Sequence, residues 1–290
     1  MLINLQLVML TWSYFMVVFR DPGSVPANWK MLSDQNVEED NSTAIPSSSE
    51  DTERRPAIGY CNRCQNGKPP RCHHCSVCKR CVLKMDHHCI WVVNCVGACN
   101  YKFFLLFVLY TFLETLMDTL VLLPSFISFF QQVKNSSSSP GKLAVTFLAF
   151  GNFHYNNHHC IIMLNFPFSS MSCFLQNPYL DAVVNLAFAL SLLCFVVMHA
   201  SLLLSNTTSV EVHEKRKDVR WKYDLGWKNN IEQVFGTKKM LWFFPLFSKE
   251  DLERVPALHG LDFPTRSDIE EKGKEKEKEK EKEKKKEIDL

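Results

Sequence analysis

Nine of the twelve cysteines fall between Cys61 and Cys99, laced with histidine and basic residues. The order is Cys61-x2-Cys64, nine residues, then His74-Cys75-x2-Cys78-x2-Cys81-x4-Asp86-His87-His88-Cys89-x5-Cys95. A disulfide framework needs an oxidising compartment. A Cys-x2-Cys pair instead brings two thiolates to one tetrahedral ion at about 2.3 Å, and imidazole completes such a site. The cluster therefore predicts a reduced, zinc-loaded cytosolic module. Eight ligands fill two closed sites, and the cluster holds more candidates than eight, so some Cys and His stay free for chemistry. Spacing alone does not say which.

The residue order adds a chemical reading. Asp86, His87 and Cys89 place an orienting carboxylate, a base and a nucleophile within four positions, which is the arrangement of an activated thiol. A cysteine of ordinary pKa, about 8.5, is only a few per cent thiolate at neutral pH, and an adjacent histidine backed by a carboxylate raises the reactive fraction. Such a thiolate exchanges readily with a thioester. One thioester is traded for another of similar energy, so no ATP is needed.

The rest of the 290 residues is strongly segregated although the net charge is only +2. Long apolar runs alternate with charged stretches, the chain carries 22 phenylalanines, and the mean hydropathy of -0.11 shows that much of it is polar. Residues 2–19 read as a membrane span stopped by Arg20 and Asp21. No basic stretch precedes this run and no small-residue cleavage site follows, against a signal peptide. Residues 20–56 read as an Asp21-Pro22-Gly23 turn and a flexible linker. The cysteine-rich domain covers 57–102, and a second span covers 103–123, ended by Pro124. Residues 180–204 give a third span, followed by a cytosolic C-terminal domain over 205–264. Residues 265–290 form a Lys/Glu-rich tail, a solvated helix or disordered.

Lys and Arg crowd the segment from Arg20 to Lys102 and the tail after Lys215, whereas the loop between the later spans has only Lys134 and Lys142. Positive charge marks the cytosolic side. This places the zinc domain and tail in the cytosol, the N-terminus outside, and the 124–179 loop with its Asn135-Ser136-Ser137 sequon in the lumen. Residues 151–184 fit neither a soluble loop nor a span and read as an insertion interrupting one helix. His154, His158, His159 and Cys160 lie there without paired knuckles and are not assigned a metal. The expected fold class is thus an α-helical integral membrane protein with a small cytosolic cysteine-rich zinc-binding domain, short β-hairpins and loops around two zincs.

The module resembles the DHHC family of protein S-acyltransferases, or palmitoyltransferases. The resemblance is carried by Lys68-Pro69-Pro70-Arg71, His74-Cys75, Asp86-His87-His88-Cys89-Ile90-Trp91-Val92, Asn94-Cys95-Val96-Gly97 and Asn100-Tyr101-Lys102-Phe103-Phe104. Asp21-Pro22-Gly23 matches a further element, and the stretch Tyr223 to Gly236 is most similar to plant members. Carried over residue by residue, the family implies one zinc on Cys61, Cys64, His74 and Cys81 and another on Cys75, Cys78, His88 and Cys95. It implies Cys89 as the acylated nucleophile, His87 as base and Asp86 as its orienter. His88, locked by zinc, would fix the residues beside it. Cys72 and Cys99 fall outside the pattern and have no assigned role.

The activity implied is transfer of a palmitoyl or similar fatty acyl group from acyl-CoA to Cys89, then to cysteines of membrane-associated protein substrates. The lipid bilayer is a partner and nucleic acid is not. The expected location is the endomembrane system (Golgi, ER or post-Golgi) or the plasma membrane. Lys84 and Lys102 are candidates for the CoA phosphates. Glu114 and Asp118 share one helical face within a span. Glu114 is a candidate limit on acyl chain length, a polar helix contact being the simpler role. Two departures stand out. The family's Thr-Thr-x-Glu element reads Thr208-Ser209-Val210-Glu211 here, serine keeping the hydroxyl, and the family's first span is expected to be lacking. The alternatives are a zinc-knuckle membrane scaffold with every cysteine structural, or a truncated inactive family member.

Overall fold

The computed structural model describes residues 2–27, 29, 59–135, 178–214, 222–268 and 270. The expected insertion, apart from its last seven residues, the histidines at 154, 158 and 159, and the Lys/Glu tail beyond residue 270 lie outside the described residues. The chain divides into two compact units, one of Met1–Leu7 with Val108–Val197, the other of Val8–Phe107 with Met198–Leu290.

In the second unit, six strands of three residues each form three antiparallel hairpins: β1 (Gly59–Cys61) with β2 (Asn66–Lys68), β3 (His73–Cys75) with β4 (Arg80–Val82), and β5 (His87–Cys89) with β6 (Asn94–Val96). Strands this short bury too little to stand alone. Each turn also forces a non-glycine residue to positive φ, namely Gln65 at 51°, Lys79 at 54° and Val93 at 50°, a conformation that costs free energy. The cores beside these hairpins are built largely of cysteine, with Cys61, Cys72 and Cys81 around Leu83, and Cys75 and Cys95 around Val82 and Met85.

The predicted turn at Asp21-Pro22-Gly23 docks on the hairpins. The Gly23 amide donates to Asp21 Oδ1 at 2.7 Å, Arg80 Nη1 donates to Asp21 Oδ2 at 2.6 Å, and the Leu83 amide donates to the Gly23 carbonyl at 3.0 Å. Gly97 allows this approach: a Cβ there would lie 2.7 Å from the Pro22 carbonyl oxygen.

Three long helices follow the apolar runs: α1 (Leu2–Phe19), α2 (Tyr101–Asn135) and α3 (Pro178–Leu204). Tyr101–Ser128 and Val183–Leu204 are long and apolar enough to cross a bilayer, and Leu5–Phe19 is a shorter apolar stretch. α2 differs from the expected stop at Pro124 and continues to Asn135. Proline removes a single ladder hydrogen bond, which neighbouring groups in spanning helices can make good. Residues 178–184, read as the end of an insertion, belong to α3.

After α3 the chain turns into α4 (Ser209–His213), α5 (Trp227–Phe235), a 3-10 turn at Lys239–Leu241, α6 (Lys249–Arg254) and a second 3-10 turn at Pro256–Leu258. α4 is started by a capping box in which Thr208 accepts from the Glu211 amide and Glu211 accepts from the Thr208 amide. The apolar core of this segment is small: Tyr223, Ala257 and Phe263, with Val255 against them.

Candidate active site and metal centres

The hairpins converge their ligands into two sets, Cys61, Cys64, His74 and Cys81, and Cys75, Cys78, His88 and Cys95, with the donor atoms of each set within 4.8 Å of one another. In the first, His74 Nδ1 lies 3.6, 3.2 and 3.9 Å from the sulfurs of Cys61, Cys64 and Cys81. In the second, His88 Nδ1 lies 3.8, 3.4 and 3.6 Å from those of Cys75, Cys78 and Cys95. Metal–ligand bonds of about 2.0–2.3 Å at tetrahedral angles put ligand atoms about 3.3–3.8 Å apart. Both clusters thus fit a structural zinc, with three sulfurs and one nitrogen around each centre. The grouping matches the one the family resemblance implies.

Cys89 belongs to neither cluster. His87 Nδ1 is 2.7 Å from Asp86 Oδ2, which leaves Nε2 as the ring nitrogen for the Cys89 thiol. Asp86 is only 1% exposed and is held from across the fold. The Ser209 amide donates to its Oδ1 at 2.8 Å, and the Ser209 hydroxyl lies 3.1 Å from both carboxylate oxygens. Phe104 packs edge-on against the His87 ring, with 5.1 Å between centroids, and His199 packs at 6.0 Å.

The charges follow from these contacts. Burial raises the Asp86 carboxyl, but the His87 hydrogen bond, the Ser209 amide and the charges of His87 and His199 hold it below its ordinary value. Burial depresses the His87 imidazole, yet Asp86 and Cys89 outweigh it and push the ring up to about 9. Burial likewise raises the Cys89 thiol, while His87 and the amides of Val92 and Trp91 bring it below an ordinary cysteine. The pair therefore favours imidazolium and thiolate together. A cleft of about 390 Å³ lined by Asp86, His87, Ser209, Val210, His213 and Glu214 opens beside it.

A second buried network ties the hairpins to the segment after α3. Arg71 grips Glu211 with two parallel bonds of 2.6 and 2.8 Å and reaches Asn206 Oδ1 and its carbonyl at 3.1 and 2.7 Å. The Arg71 guanidinium lies 4.7 Å from the ring centroid of Tyr223 and 5.0 Å from that of Phe263. The Thr-Ser-x-Glu element thus has two functions, Ser209 fixing Asp86 and Glu211 fixing Arg71.

Several sequence candidates receive a different place. Lys84 is buried with Nζ 2.9 Å from Asn206 Oδ1, and Lys102 turns inward to the carbonyls of Leu246 at 2.6 Å, Leu241 at 2.9 Å and Phe235 at 3.4 Å. Neither presents its ammonium to a CoA phosphate, because each amine satisfies polar groups of the protein interior. Cys72 sits in the first cluster's core, its thiol pushed up to about 11 by burial. Cys99 contributes its carbonyl to Arg20 Nε at 3.1 Å. Reading the sequence missed the roles of Arg71, Asn206, His199 and Asn230. The sequence marked Arg71 only as part of the Lys68-Pro69-Pro70-Arg71 string and Asn230 only within the stretch Tyr223 to Gly236, with no role read for either.

Two Cys/His sets fit for zinc, with a histidine-paired thiol on the hairpin beside them, in a chain with membrane-length helices, define a membrane protein built for thiol group transfer. Comparison with known proteins agrees. The sequence model of the family described as DHHC palmitoyltransferase matches residues 56–216. The chain is 56% identical over 266 residues to Probable protein S-acyltransferase 12 of Arabidopsis thaliana, covering 91% of this chain and 78% of that protein. It is 46% identical over 273 residues to Probable protein S-acyltransferase 14 of the same plant, covering 93% and 78%. It is also 33% identical over 265 residues to Palmitoyltransferase ZDHHC15A of Danio rerio, covering 86% and 70%. The chain belongs to the DHHC palmitoyltransferase family, and its activity is palmitoyl transfer to protein cysteines.

Proposed function

We propose that Cys89 is the acyl carrier, with His87 and Asp86 behind it. The observation that carries this reading is the line Ser209, Asp86, His87, Cys89, in which each group fixes the next and the thiol stands outside both metal clusters. His87 Nε2 takes the proton from Sγ, and the sulfur attacks the thioester carbonyl of acyl-CoA. The C–S bond to CoA breaks as the bond to Cys89 forms, and the CoA sulfur takes the proton back from His87 and leaves as the thiol, so the imidazole is neutral again. The thiol of a substrate protein then gives its proton to His87 and attacks the acyl-Cys89 carbonyl, returning Cys89 to its starting state. Asp86 keeps its charge throughout and holds the imidazole in the required orientation. The two zincs would supply structure: one bound to Cys61, Cys64, His74 and Cys81 would join the first two hairpins, and one bound to Cys75, Cys78, His88 and Cys95 would join the second to the hairpin that carries Cys89.

Acyl-CoA and membrane-associated proteins with cysteines near the bilayer are the substrates on this reading. The zinc domain and C-terminal segment face the cytosol, as the Lys and Arg distribution supports, with the N-terminus on the other side, in the endomembrane system or the plasma membrane. Cys89→Ser separates this from a purely structural role for every cysteine. The variant is expected to keep two zincs per chain and lose hydroxylamine-sensitive acyl labelling. Loss of zinc together with labelling would support the scaffold instead.

A further inference from the structure

The three hairpins are one repeat of fourteen residues. Cys61, Cys75 and Cys89 recur at that interval, as do His74 and His88, and Cys81 and Cys95. The registers are identical: Cys61 pairs with Asn66, Cys75 with Arg80 and Cys89 with Asn94. The positive-φ residues Gln65, Lys79 and Val93 stand fourteen residues apart as well. The pattern of burial repeats too, with a buried cysteine, two exposed residues and then the second ligand position. That position holds Cys64, then Cys78, then Val92.

We propose that β5–β6 is a third zinc knuckle whose second ligand is replaced by Val92, and that Val92 keeps metal off Cys89 while the knuckle backbone still orients its sulfur. Val92 is 1% exposed while its neighbours Trp91 and Val93 are 76% and 83% exposed. The loop thus turns inward at the one position where a ligand would stand. In a Cys-x2-Cys knuckle, backbone amides two and three residues on point at the first sulfur, as the Cys78 amide does toward Cys75 Sγ at 3.3 Å. The amides facing Cys61 are those of Arg63 and Cys64, those facing Cys75 are Val77 and Cys78, and those facing Cys89 are Trp91 and Val92. The donor set of a metal thiolate is therefore kept at Cys89 while the metal's second sulfur is removed. The repeat also ends here: the next histidine and cysteine positions are Lys102 and Leu109, both inside α2. A side chain at 92 able to bind metal would leave Cys89, with His87 beside it, as the remaining ligands of an open site.

This inference rests on Cys89 being the nucleophile, but its test does not. The full-length chain is purified in detergent with a phosphine reductant after growth in zinc-supplemented medium, and metal is counted per chain. Val92→Cys is expected to rise from two zincs to three and to lose acyl labelling, with labelling recovered by a mild chelator that leaves the two closed sites filled. Adding Cys89→Ser to it should return the count to two, and Val92→Ala should stay at two. If Val92→Cys does not fold, Val92→His is read in the same way. A count of two in a folded Val92→Cys or Val92→His chain, with iodoacetamide still reaching Cys89 at the wild-type rate, overturns the proposal. The metal count reads the knuckle even if Cys89→Ser were to show that the acyl group rides elsewhere.

Discussion

The hairpin module of residues 59–96 and the segment after residue 204 are both too small to fold on an apolar core, and they solve that problem differently. The hairpins use strands of three residues, strained turns and sulfur-rich interiors, an economy that works only with metal to hold the corners. The later segment has no metal-ligand cluster among the described residues and uses buried polar side chains that each fasten several strands of backbone. Asn230 Nδ2 donates to the Leu204 carbonyl at 2.6 Å and to Asp224 Oδ1 at 2.7 Å, while its Oδ1 accepts from the Leu225 amide at 3.0 Å. Asp251 does the same for the Thr237 amide and the loop beside it. The proposed catalytic line crosses between the two: His87 and Cys89 stand on a hairpin that shares a Cys/His set fit for zinc, and Asp86 is gripped by Ser209 of the other segment. On the proposed reading, metal would secure the reactive group, and hydrogen bonds secure its orientation.

The comparison breaks most visibly on metal removal. Structural zinc contributes about 10–16 kcal/mol to small finger domains, so a strong chelator should expose residues 59–96 to proteolysis before residues 222–268. Cleavage in the reverse order would count against metal as the corner of the hairpins. Next in size is the buried pair joining the regions. Arg71→Met leaves Glu211 charged and without its partner, at a cost of about 3–5 kcal/mol, read as a lowered thermal midpoint; changing Glu211 to Met as well should recover part of it. Asn230→Ala should cost about 1–3 kcal/mol without altering the zinc content.

The pH dependence has a definite sign. Burial raises the Glu211 carboxyl, but Arg71 and the Thr208 amide bring it below the ordinary glutamate value. A depressed folded pKa stabilises fully above the unfolded pKa, about 4.3, and that stability is lost as pH falls through the folded value. The difference in stability between wild type and Glu211→Gln should therefore be constant near neutrality and shrink only in acid. Smallest is Ser209→Ala, which removes one hydroxyl from Asp86 but leaves the amide. A loss of about 1 kcal/mol corresponds to roughly fivefold slower acyl labelling, and Ser209→Thr should restore it.

What the sequence disclosed follows the same division. Metal ligation is local, so Cys-x2-Cys spacing marked the module, and the family resemblance assigned Cys61, Cys64, His74 and Cys81 apart from Cys75, Cys78, His88 and Cys95 as the folded chain groups them. The apolar runs likewise marked α1, α2 and α3, although not the passage of α2 through Pro124. The network of Arg71, Asn206 and Glu211 was not legible, because its partners lie 135 to 140 residues apart and polar residues in a loop carry no period. Lys84 and Lys102 misled for a related reason: a lysine near the membrane looks like an anion site until its carbonyl or amide partners are known.

The most direct test of the account is to find the acyl group. A single turnover with palmitoyl-CoA in detergent, quenched in acid without a thiol acceptor, followed by proteolysis and mass spectrometry, should place one thioester-linked palmitoyl on the peptide containing Cys89. The account is contradicted if the acyl group is found on Cys72 or Cys99 instead, or if an added substrate protein is palmitoylated while no acyl-Cys89 forms.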